Sequence, residues 1–547
     1  MADVIGGQLI AKQLAREGID TVFGVVAGPM IEAMAAMQAE GIRMVNCRHE
    51  ESAAFAASAW GWVKQKPGVC IVGSGPALTN TVTSMHVATE SGMPLVVLGG
   101  SAHGRTRGLG GFQEADQVAF ARPGCKWTAL VDSAERIPEY VHLACGKALH
   151  GRPGATYVDF PGHLISRTVD GENVRLRESL PDVAPPYPDP VAVERVVEML
   201  ASAERPLVLI GKGAGWADAG PQLTRLVDLG IPFIASPMGR GTVPDDHPMC
   251  MGAARSAALS GADAILMVGG RFNWIFQFGR PPRFAPGVRI AQVDVVAEEF
   301  ASAANVEIGL TADCAHAVEA IVERLRYRTL RVSSSGWADT LRVEAEKNVA
   351  SIAEAMDSDE RPINHFRLLR EVRDALARDA TTTVDGELTM GVARNVLPSY
   401  GPRLHLNAGT TGCMGTGVPY AIGAKLARPD KQVVAVVGDY AFGAAAMEVE
   451  TAARVGANVV FVVSNNAGIA GHSIQDRMFP PGSPPIAALL PAHYEKVAEM
   501  VGGFGRRVED PADIRPAIEE ALAAGTVAVI NVLTDPKGRR RGSMYLG

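Results

Sequence analysis

Apolar, β-branched runs recur along the chain between helical stretches rich in Ala. The buried-strand candidates lie at 69–73, 95–99, 206–211, 264–269, 432–437 and 458–464, each a short and nearly continuous apolar run. Strands of this kind, alternating with helices, predict an α/β protein built on parallel sheets. Two interruptions divide the pattern. The Pro-rich stretch at 181–190, PDVAPPYPDP, can continue neither a helix nor a central strand and reads as a linker. A polar, helical segment from 333 to 360 then separates a middle unit from a C-terminal one. Three domains follow, at 1–180, 190–335 and 360–547, each doubly wound around a parallel sheet, with no short-period repeat.

Composition narrows the class. A chain of 547 residues exceeds one hydrophobic core. With 47% hydrophobic and 20% charged residues it is a soluble globular type, and a net charge of −7 argues against a nucleic-acid partner. No apolar run approaches the roughly 20 residues that span a bilayer. Met1-Ala2-Asp3 lacks the regions of a signal peptide, and Tyr545-Leu546-Gly547 is not a peroxisomal address. Seven cysteines without C-x-x-C spacing read as reduced thiols rather than disulfides or a zinc site, so a cytoplasmic location is expected.

Candidate chemistry concentrates at 432–468, QVVAVVGDYAFGAAAMEVETAARVGANVVFVVSNNAG. It parses as a strand, a tight turn at Gly438-Asp439, a helix over 444–455, and a second strand ending at Asn465-Asn466. A parallel crossover brings the two strand ends side by side, where open α/β sheets bind ligands. Asp439, Asn466 and the Gly468 carbonyl then form a small oxygen set of the kind Mg²⁺ takes alongside phosphate. The amides of Tyr440, Ala441 and Phe442, near a helix start, suit a diphosphate. The same GD and NN pairs also serve as plain turn residues. His49-Glu50-Glu51 sits at a strand-to-helix junction, where Glu is favoured by the dipole alone or serves proton chemistry when buried. Met414, in the Gly-rich turn 408–415, is otherwise an ordinary packing residue.

Together these segments resemble the thiamine-diphosphate-dependent enzyme family. GD followed by NN resembles its cofactor signature, with Tyr440 where the family has Gly or Ser. Arg48-His49-Glu50 resembles the segment carrying the catalytic glutamate, and Gly409 to Gly415 resembles its G-x-x-G-x-M-G turn. The resemblance implies three domains (pyrimidine-binding, central, diphosphate-binding), thiamine diphosphate and Mg²⁺. It casts Asp439, Asn466 and Gly468 as metal ligands, and Gly438, Tyr440, Ala441, Phe442 and Ile469 as cofactor contacts. Glu50 shares a proton with the aminopyrimidine ring and so promotes ylide formation. The Gly412 carbonyl holds the 4′-amino group, and Met414 wedges between the rings. Because glutamate and diphosphate site face each other from different subunits in this family, a homodimer is the implied minimum and a homotetramer the commonest form.

Further segments point to a branch. Ser74 to Asn80 resembles the S-G-P-G-x-x-N turn, with Ala77 for Gly. Gly111-Phe112-Gln113-Glu114-Ala115-Asp116-Gln117 resembles the F-Q-E-x-D-Q stretch of acetolactate synthases and 2-hydroxyacyl-CoA lyases, whose Gln (Gln113 here) borders the reacting carbon. Oxalyl-CoA decarboxylases carry Tyr-Glu there. Arg271-Phe272-Asn273-Trp274 with Phe278-Gly279 resembles a lyase segment, so Arg271, Asn273 and Trp274 are either coenzyme A contacts or an interface. The Gly211 to Gly215 turn and Asp294 leave ADP in the central domain open, since relatives bind ADP, FAD or nothing there. The basic run at 537–543 is a solvated tail in isolation. In acyl-CoA members such a segment closes the site, which implies a lid at 536–547 with Arg539, Arg540 and Arg541 on coenzyme A phosphates. Ala470 replaces the Tyr of the G-I-Y-x-G stretch and enlarges the pocket, which suits a branched substrate such as 2-hydroxyisobutyryl-CoA, cleaved to a ketone and formyl-CoA. Glu495 and His472 are candidate bases for the 2-hydroxyl. The competing readings are an oxalyl-CoA decarboxylase, an acetolactate-synthase-like carboligase and a non-catalytic nucleotide-binding relative.

Overall fold

The structure, a computed structural model, describes residues 3–469, 479–483 and 486–538. It divides into two compact units, one of Met1–Val183, Thr411–Asp430 and Ala445–Val459, the other of Ala184–Thr410, Lys431–Ala444 and Val460–Gly547.

The first unit is built on a six-stranded sheet. Its order from edge to edge is Arg43–Asn46, Thr21–Gly24, Gly68–Val72, Leu95–Ser101, Ala155–Pro161 and Trp127–Leu130, with every pairing parallel. The central strands are buried along their whole length, as continuous apolar runs require when helices cover both faces. The helix Glu50–Lys64 is buried from Ser52 to Trp62, a stretch in which the small residues Ala, Ser and Gly predominate. That small-residue face lets the helix Gly417–Ala427 approach closely. A Cβ on Gly423 would lie 2.1 Å from the Ala56 carbonyl oxygen, and Phe55 meets Tyr420 edge-on with centroids 5.7 Å apart. Two segments from the C-terminal part of the sequence thus belong to the first compact unit.

The second unit carries two sheets, both parallel throughout. One has the order Phe233–Ala235, Pro206–Ile210, Ala264–Val268, Arg289–Asp294, Val306–Thr311. The other runs His405–Leu406, Thr381–Asp385, Val433–Gly438, Val460–Asn465, Ala528–Leu533, Phe504–Val508. In this last sheet the chain steps outward from Thr381–Asp385 to its edge, then returns to the other side of that strand. The order therefore reverses between Thr381–Asp385 and Val433–Gly438, the switch point at which doubly wound sheets bind ligands.

The parallel α/β class and all six strand candidates are found, with ends shifted by one or two residues. The Pro-rich stretch is neither helix nor strand until the helix Pro190–Ser202, which Asp189 caps by accepting from the Ala192 amide at 2.8 Å. The polar segment is the helix Trp337–Met356. One expectation fails. The helix expected over 444–455 is two helices, Asp439–Ala445 and Glu448–Arg454. The first starts at Asp439, directly after the strand Val433–Gly438.

Candidate active site

In the first unit, the strand Arg43–Asn46 runs into a short turn that the helix Glu50–Lys64 leaves at once. His49 caps the helix, its Nδ1 accepting from the Glu51 amide at 3.2 Å. The turn is held from below by Glu448, a residue that sequence reasoning left unassigned. Its carboxylate accepts from the amides of Arg48 and His49 at 3.0 and 3.1 Å and from the Thr451 hydroxyl at 2.6 Å. Burial raises the Glu448 carboxyl, against the pull of those donors. Glu50 is half-buried, less than expected of a proton-sharing carboxylate, and its Oε2 accepts from Asn80 Nδ2 at 2.9 Å. Burial also raises the carboxyl of the adjacent Glu51.

Asn80 closes the Ser74 to Asn80 turn, and that turn meets the loop carrying Gln113. Ser74 Oγ donates to Gln113 Oε1 at 2.9 Å, and a Cβ on Gly75 would lie 2.4 Å from the Gln113 carbonyl oxygen. Gln113 is exposed and holds a positive φ of 55°, a conformation that non-glycine residues adopt at cost and that clusters at functional sites. Beneath this junction lies a buried polar network. Gln117 Oε1 accepts from the Gly75 amide, while its Nε2 faces Gly100 O, Tyr157 Oη and Asp159 Oδ2 at 3.0, 2.7 and 3.1 Å. Ser101 Oγ and Tyr157 Oη also donate to Asp159. Burial raises the Asp159 carboxyl and pushes the Tyr157 phenol well up, the latter helped by the Asp159 charge. Gln117 lies in the motif singled out from the sequence, but only the fold shows that it supports the turn.

The Gly-rich turn gives Gly409, Gly412 and Gly415 positive φ values of 58, 64 and 88°. Met414 is 39% exposed, so it is not a core methionine.

In the second unit, Asp439 leaves the strand Val433–Gly438 at the switch point. It is buried, yet no basic side chain pairs with it among the described residues. Its Oδ1 accepts from the Tyr440 amide at 2.8 Å and its Oδ2 from the Gly468 amide at 3.1 Å. Desolvation pushes its carboxyl up to about 6 against those amides. Gly438 pairs in register with Ser464, so Asn465 and Asn466 emerge beside Asp439. One terminal atom of the Asn466 amide lies 2.8 Å from the Gly468 carbonyl oxygen and 3.2 Å from Asp439 Oδ1. With its nitrogen there, the amide bridges two acceptors. With its oxygen there, three oxygens converge, which suits a hard cation. The donor set therefore fits Mg²⁺. Among the described residues no group of three or more His, Cys, Asp and Glu could hold a metal.

Phe442 is fully buried against Phe461 and Tyr494, so only its backbone and that of buried Ala441 can face a ligand. Tyr440, at the family's Gly or Ser position, has a 44% exposed side chain. The turn after Asn466 is fixed by Ala467 at φ 53° and by the Ile469 amide, which donates to Ala487 O at 2.9 Å.

Glu495 is 3% exposed and both of its oxygens are occupied. Oε1 meets His493 Nδ1 at 2.7 Å and Oε2 accepts from Asn531 Nδ2 at 2.8 Å. Burial alone would raise its carboxyl, but Asn531, its own amide and His493 outweigh that and hold it low. Asn531 in turn accepts from Asn465 at 3.0 Å, beside the metal candidate Asn466. Arg271 lies 4.0 Å from Glu299, while Asn273 and Trp274 bind Thr410 at 3.3 and 2.8 Å. His472, Ala470 and the lid arginines Arg539, Arg540 and Arg541 lie outside the described residues.

A strand-end carboxylate with a neighbouring Asn and carbonyl at the switch point, and a helix-start glutamate on another sheet, define a class. Family models match the chain in order: the thiamine pyrophosphate enzyme N-terminal TPP binding domain at residues 5–120, the central domain at 193–321 and the C-terminal TPP binding domain at 386–532. The chain belongs to the thiamine pyrophosphate enzyme family and is a thiamine-diphosphate-dependent enzyme.

Its relatives place it within that family. It is 35% identical to 2-hydroxyacyl-CoA lyase 1 of Homo sapiens, over 99% of this chain and 96% of that one. It is 33% identical to oxalyl-CoA decarboxylase of Escherichia coli, over 97% and 95%. It is 36% identical to the acetolactate synthase large subunit of Mycobacterium tuberculosis, over 97% and 96%. The three identities are so close that the residues at the site, not the percentages, must separate the branches.

Proposed function

We propose that this enzyme is a carbon–carbon lyase that cleaves a 2-hydroxyacyl-CoA, branched at C2 as in 2-hydroxyisobutyryl-CoA, into a ketone or aldehyde and formyl-CoA. The observation that carries this reading is the Gln113 junction. A strained glutamine is locked to Ser74 and backed by a buried network, at the position where decarboxylases have Tyr-Glu. A neutral amide there can donate to a 2-hydroxyl, a group that an oxalyl thioester lacks, as well as to the developing oxyanion.

Asp439, Asn466 and the Gly468 carbonyl would hold Mg²⁺. The amides of Ala441 and Phe442, with Gly438, would face the diphosphate, flanked by Tyr440 and Ile469, whose own amides donate to Asp439 and Ala487. Gly412 would offer its carbonyl to the aminopyrimidine, and Met414 would enforce the bend between the rings. Thiamine diphosphate, when bound, supplies a thiazolium ring that delocalises the electron pair left on C1 when the C1–C2 bond breaks. Glu50, oriented by Asn80, holds a proton at the aminopyrimidine nitrogen and so sets its tautomer. A base takes the proton of the 2-hydroxyl as C2 leaves as a carbonyl. His472 and Glu495 remain the candidates, but with both oxygens already accepting, Glu495 is the poorer proton acceptor. Ala470 leaves room for the second substituent of a ketone.

Acyl-CoA as substrate class agrees with the relatives' names, and the lid at 536–547 with Arg539, Arg540 and Arg541 would close over it. Arg271, Asn273 and Trp274 stay in the proposal as the segment that borders the substrate. Three domains at 1–180, 190–335 and 360–547, a homotetramer built from dimers, and a cytoplasmic location belong to the same reading. None of the seven cysteines is in a disulfide, and among the described residues no helix is long and apolar enough to cross a membrane. ADP is left out. The Gly211 and Gly213 amides, which a phosphate would use, already donate to Val268 O and Gly269 O at 2.8 Å each.

The test is a titration of the apoprotein with thiamine diphosphate and Mg²⁺, followed by turnover. Glu50→Gln should bind the cofactor like the wild type and lose turnover, whereas equal turnover would remove Glu50 from the chemistry.

A further inference from the structure

Behind the candidate metal set lies a second row of buried amides. Asn465 ends the strand Val460–Asn465, and Asn531 lies in the neighbouring strand Ala528–Leu533, in register with Val463. Positions 463 and 465 are two residues apart, so the side chains of Asn465 and Asn531 rise from the same face of the sheet. Both are buried, as is Glu495 beside them. Every polar atom of the two amides is in use. Asn531 Nδ2 donates to Glu495 Oε2 at 2.8 Å and to Ala492 O at 2.9 Å, and its Oδ1 accepts from Asn465 Nδ2 at 3.0 Å. Asn465 Nδ2 also donates to Ala492 O at 3.2 Å, and its Oδ1 accepts from the Ala467 amide at 3.2 Å.

This chain of bonds has a direction. An ionised carboxylate only accepts, so Glu495 draws the NH₂ of Asn531 towards itself and leaves the Asn531 oxygen facing Asn465. That oxygen takes the NH₂ of Asn465, whose own oxygen is thereby aimed at Ala467. The receiver is the residue of the turn that carries strain. Ala467 holds φ at 53°, a left-handed conformation that alanine adopts at a cost and that persists only when its surroundings enforce it. From the other side the Leu489 amide donates to Ala467 O at 2.7 Å, and Gly468 bridges to Ala488. The next carbonyl in the chain is that of Gly468, which lies 2.8 Å from a terminal atom of the Asn466 amide. A main-chain carbonyl has no rotamer of its own. Only the backbone dihedrals before and after it can aim it.

We propose that Asn465 and Asn531 are positioning residues for the metal ion, holding the Gly468 carbonyl beside Asp439 and Asn466 through the strained turn at Ala467. This rests on the metal set proposed above. Neither side chain touches the ion or the substrate. They act as the outer hydrogen-bonding groups that orient metal ligands, whose loss costs about 10–100-fold in affinity.

The test titrates Mn²⁺ in place of Mg²⁺ into the full-length protein at saturating thiamine diphosphate, with free Mn²⁺ read by electron paramagnetic resonance. Thermal inactivation of each variant is followed in parallel. Asn531→Leu and Asn465→Ala should each weaken Mn²⁺ binding by about tenfold. The double variant should also lose about tenfold rather than about a hundredfold, because both residues act along one path. Glycine adopts a positive φ without the alanine penalty. Adding Ala467→Gly to Asn531→Leu should therefore recover at least about threefold of the lost affinity, a response that a purely structural role would not produce. If Asn531→Leu does not fold, Asn465→Ala with and without Ala467→Gly carries the same comparison. Reduced heat resistance with Mn²⁺ affinity within about twofold of wild type would make the network structural only and overturn the proposal. Additive losses, or no recovery with Ala467→Gly, would overturn it as well. Asp439→Ala is the control. If it too leaves Mn²⁺ binding unchanged, the metal set itself is wrong and the proposal falls with it; if it alone weakens binding, the metal set stands and the proposal fails.

Discussion

Truncating Glu448 tests how the glutamate-bearing turn is held. The carboxylate is 2% exposed and collects the Arg48 and His49 amides at 3.0 and 3.1 Å, plus the Thr451 hydroxyl at 2.6 Å. Glu448→Ala leaves two main-chain donors without an acceptor. At roughly 1–3 kcal/mol for each donor left unmade, and with Arg48 and His49 themselves exposed, the lower half applies, about 2–4 kcal/mol together. Glu448→Gln behaves differently. Its remaining oxygen can serve both amides and the Thr451 hydroxyl can turn to accept from its NH₂, so the loss falls to about 1 kcal/mol. The two amides precede Glu50 by two residues and one. A displacement of about 1 Å there would lower turnover by about 10²-fold, the usual sensitivity to misplacement. The assay pairs thermal inactivation with turnover at saturating cofactor, because a chain of several domains does not unfold in two states. Glu448→Ala should lose both stability and turnover, and Glu448→Gln should stay near wild type in each. Equal behaviour of the two variants would falsify the hydrogen-bond accounting and leave the negative charge as the relevant quantity. Full turnover in a destabilised Glu448→Ala would show that this contact does not position Glu50.

Other expected outcomes follow from the same structure. Asp159→Asn places an NH₂ group against Gln117 Nε2 and should lower kcat more than it raises KM. Removing the donor at the other end of the junction, in Ser74→Ala, should act in the same direction but more weakly. Asp439→Ala should weaken Mg²⁺-dependent cofactor binding by at least about tenfold in a fluorescence titration, since a buried charge-assisted ligand is lost. Acid should destabilise the protein. Burial and the Arg240 charge pull His405 down to about 3, and burial lowers His365. The unfolded chain then binds protons that the folded one does not. Stability is full above about pH 6.5 and is lost as pH falls, by up to about 1.4 kcal/mol per pH unit for each histidine. Replacing His405 by Asn should flatten the acid limb of the inactivation profile, and an unchanged limb would exclude His405 as its source.

Much of this fold is legible in the sequence because buried parallel strands are apolar on both faces, which leaves short unbroken runs such as AILMV and VVAVV. The approach of Asp439 to Asn466 is equally readable, since a Gly-Asp after one strand and an Asn-Asn after the next end neighbouring strands of a parallel crossover. What was missed depends on distance in the chain. Glu448 and the turn before Glu50 are about 400 residues apart, and nothing local to Glu448 distinguishes it from a solvated helix charge. Gln117 and Asp159 sit on separate elements, and their coupling exists only once the strands Leu95–Ser101 and Ala155–Pro161 pair. GAAAMEVETAARV is a good helix former throughout, so it predicts one helix where the structure has a turn at Ala446-Met447. The ring nitrogen of Trp274 donates to the Thr410 carbonyl, a partner 136 residues away that the local sequence does not reveal.

The central claim is tested most directly by incubating the purified protein with thiamine diphosphate, Mg²⁺ and 2-hydroxyisobutyryl-CoA and assaying acetone and formyl-CoA by chromatography. Equal amounts of both products, abolished in Glu50→Gln, are the predicted result. Carbon dioxide from oxalyl-CoA under the same conditions, with no acetone from the hydroxyacyl thioester, would contradict the lyase assignment while leaving the cofactor and the fold in place.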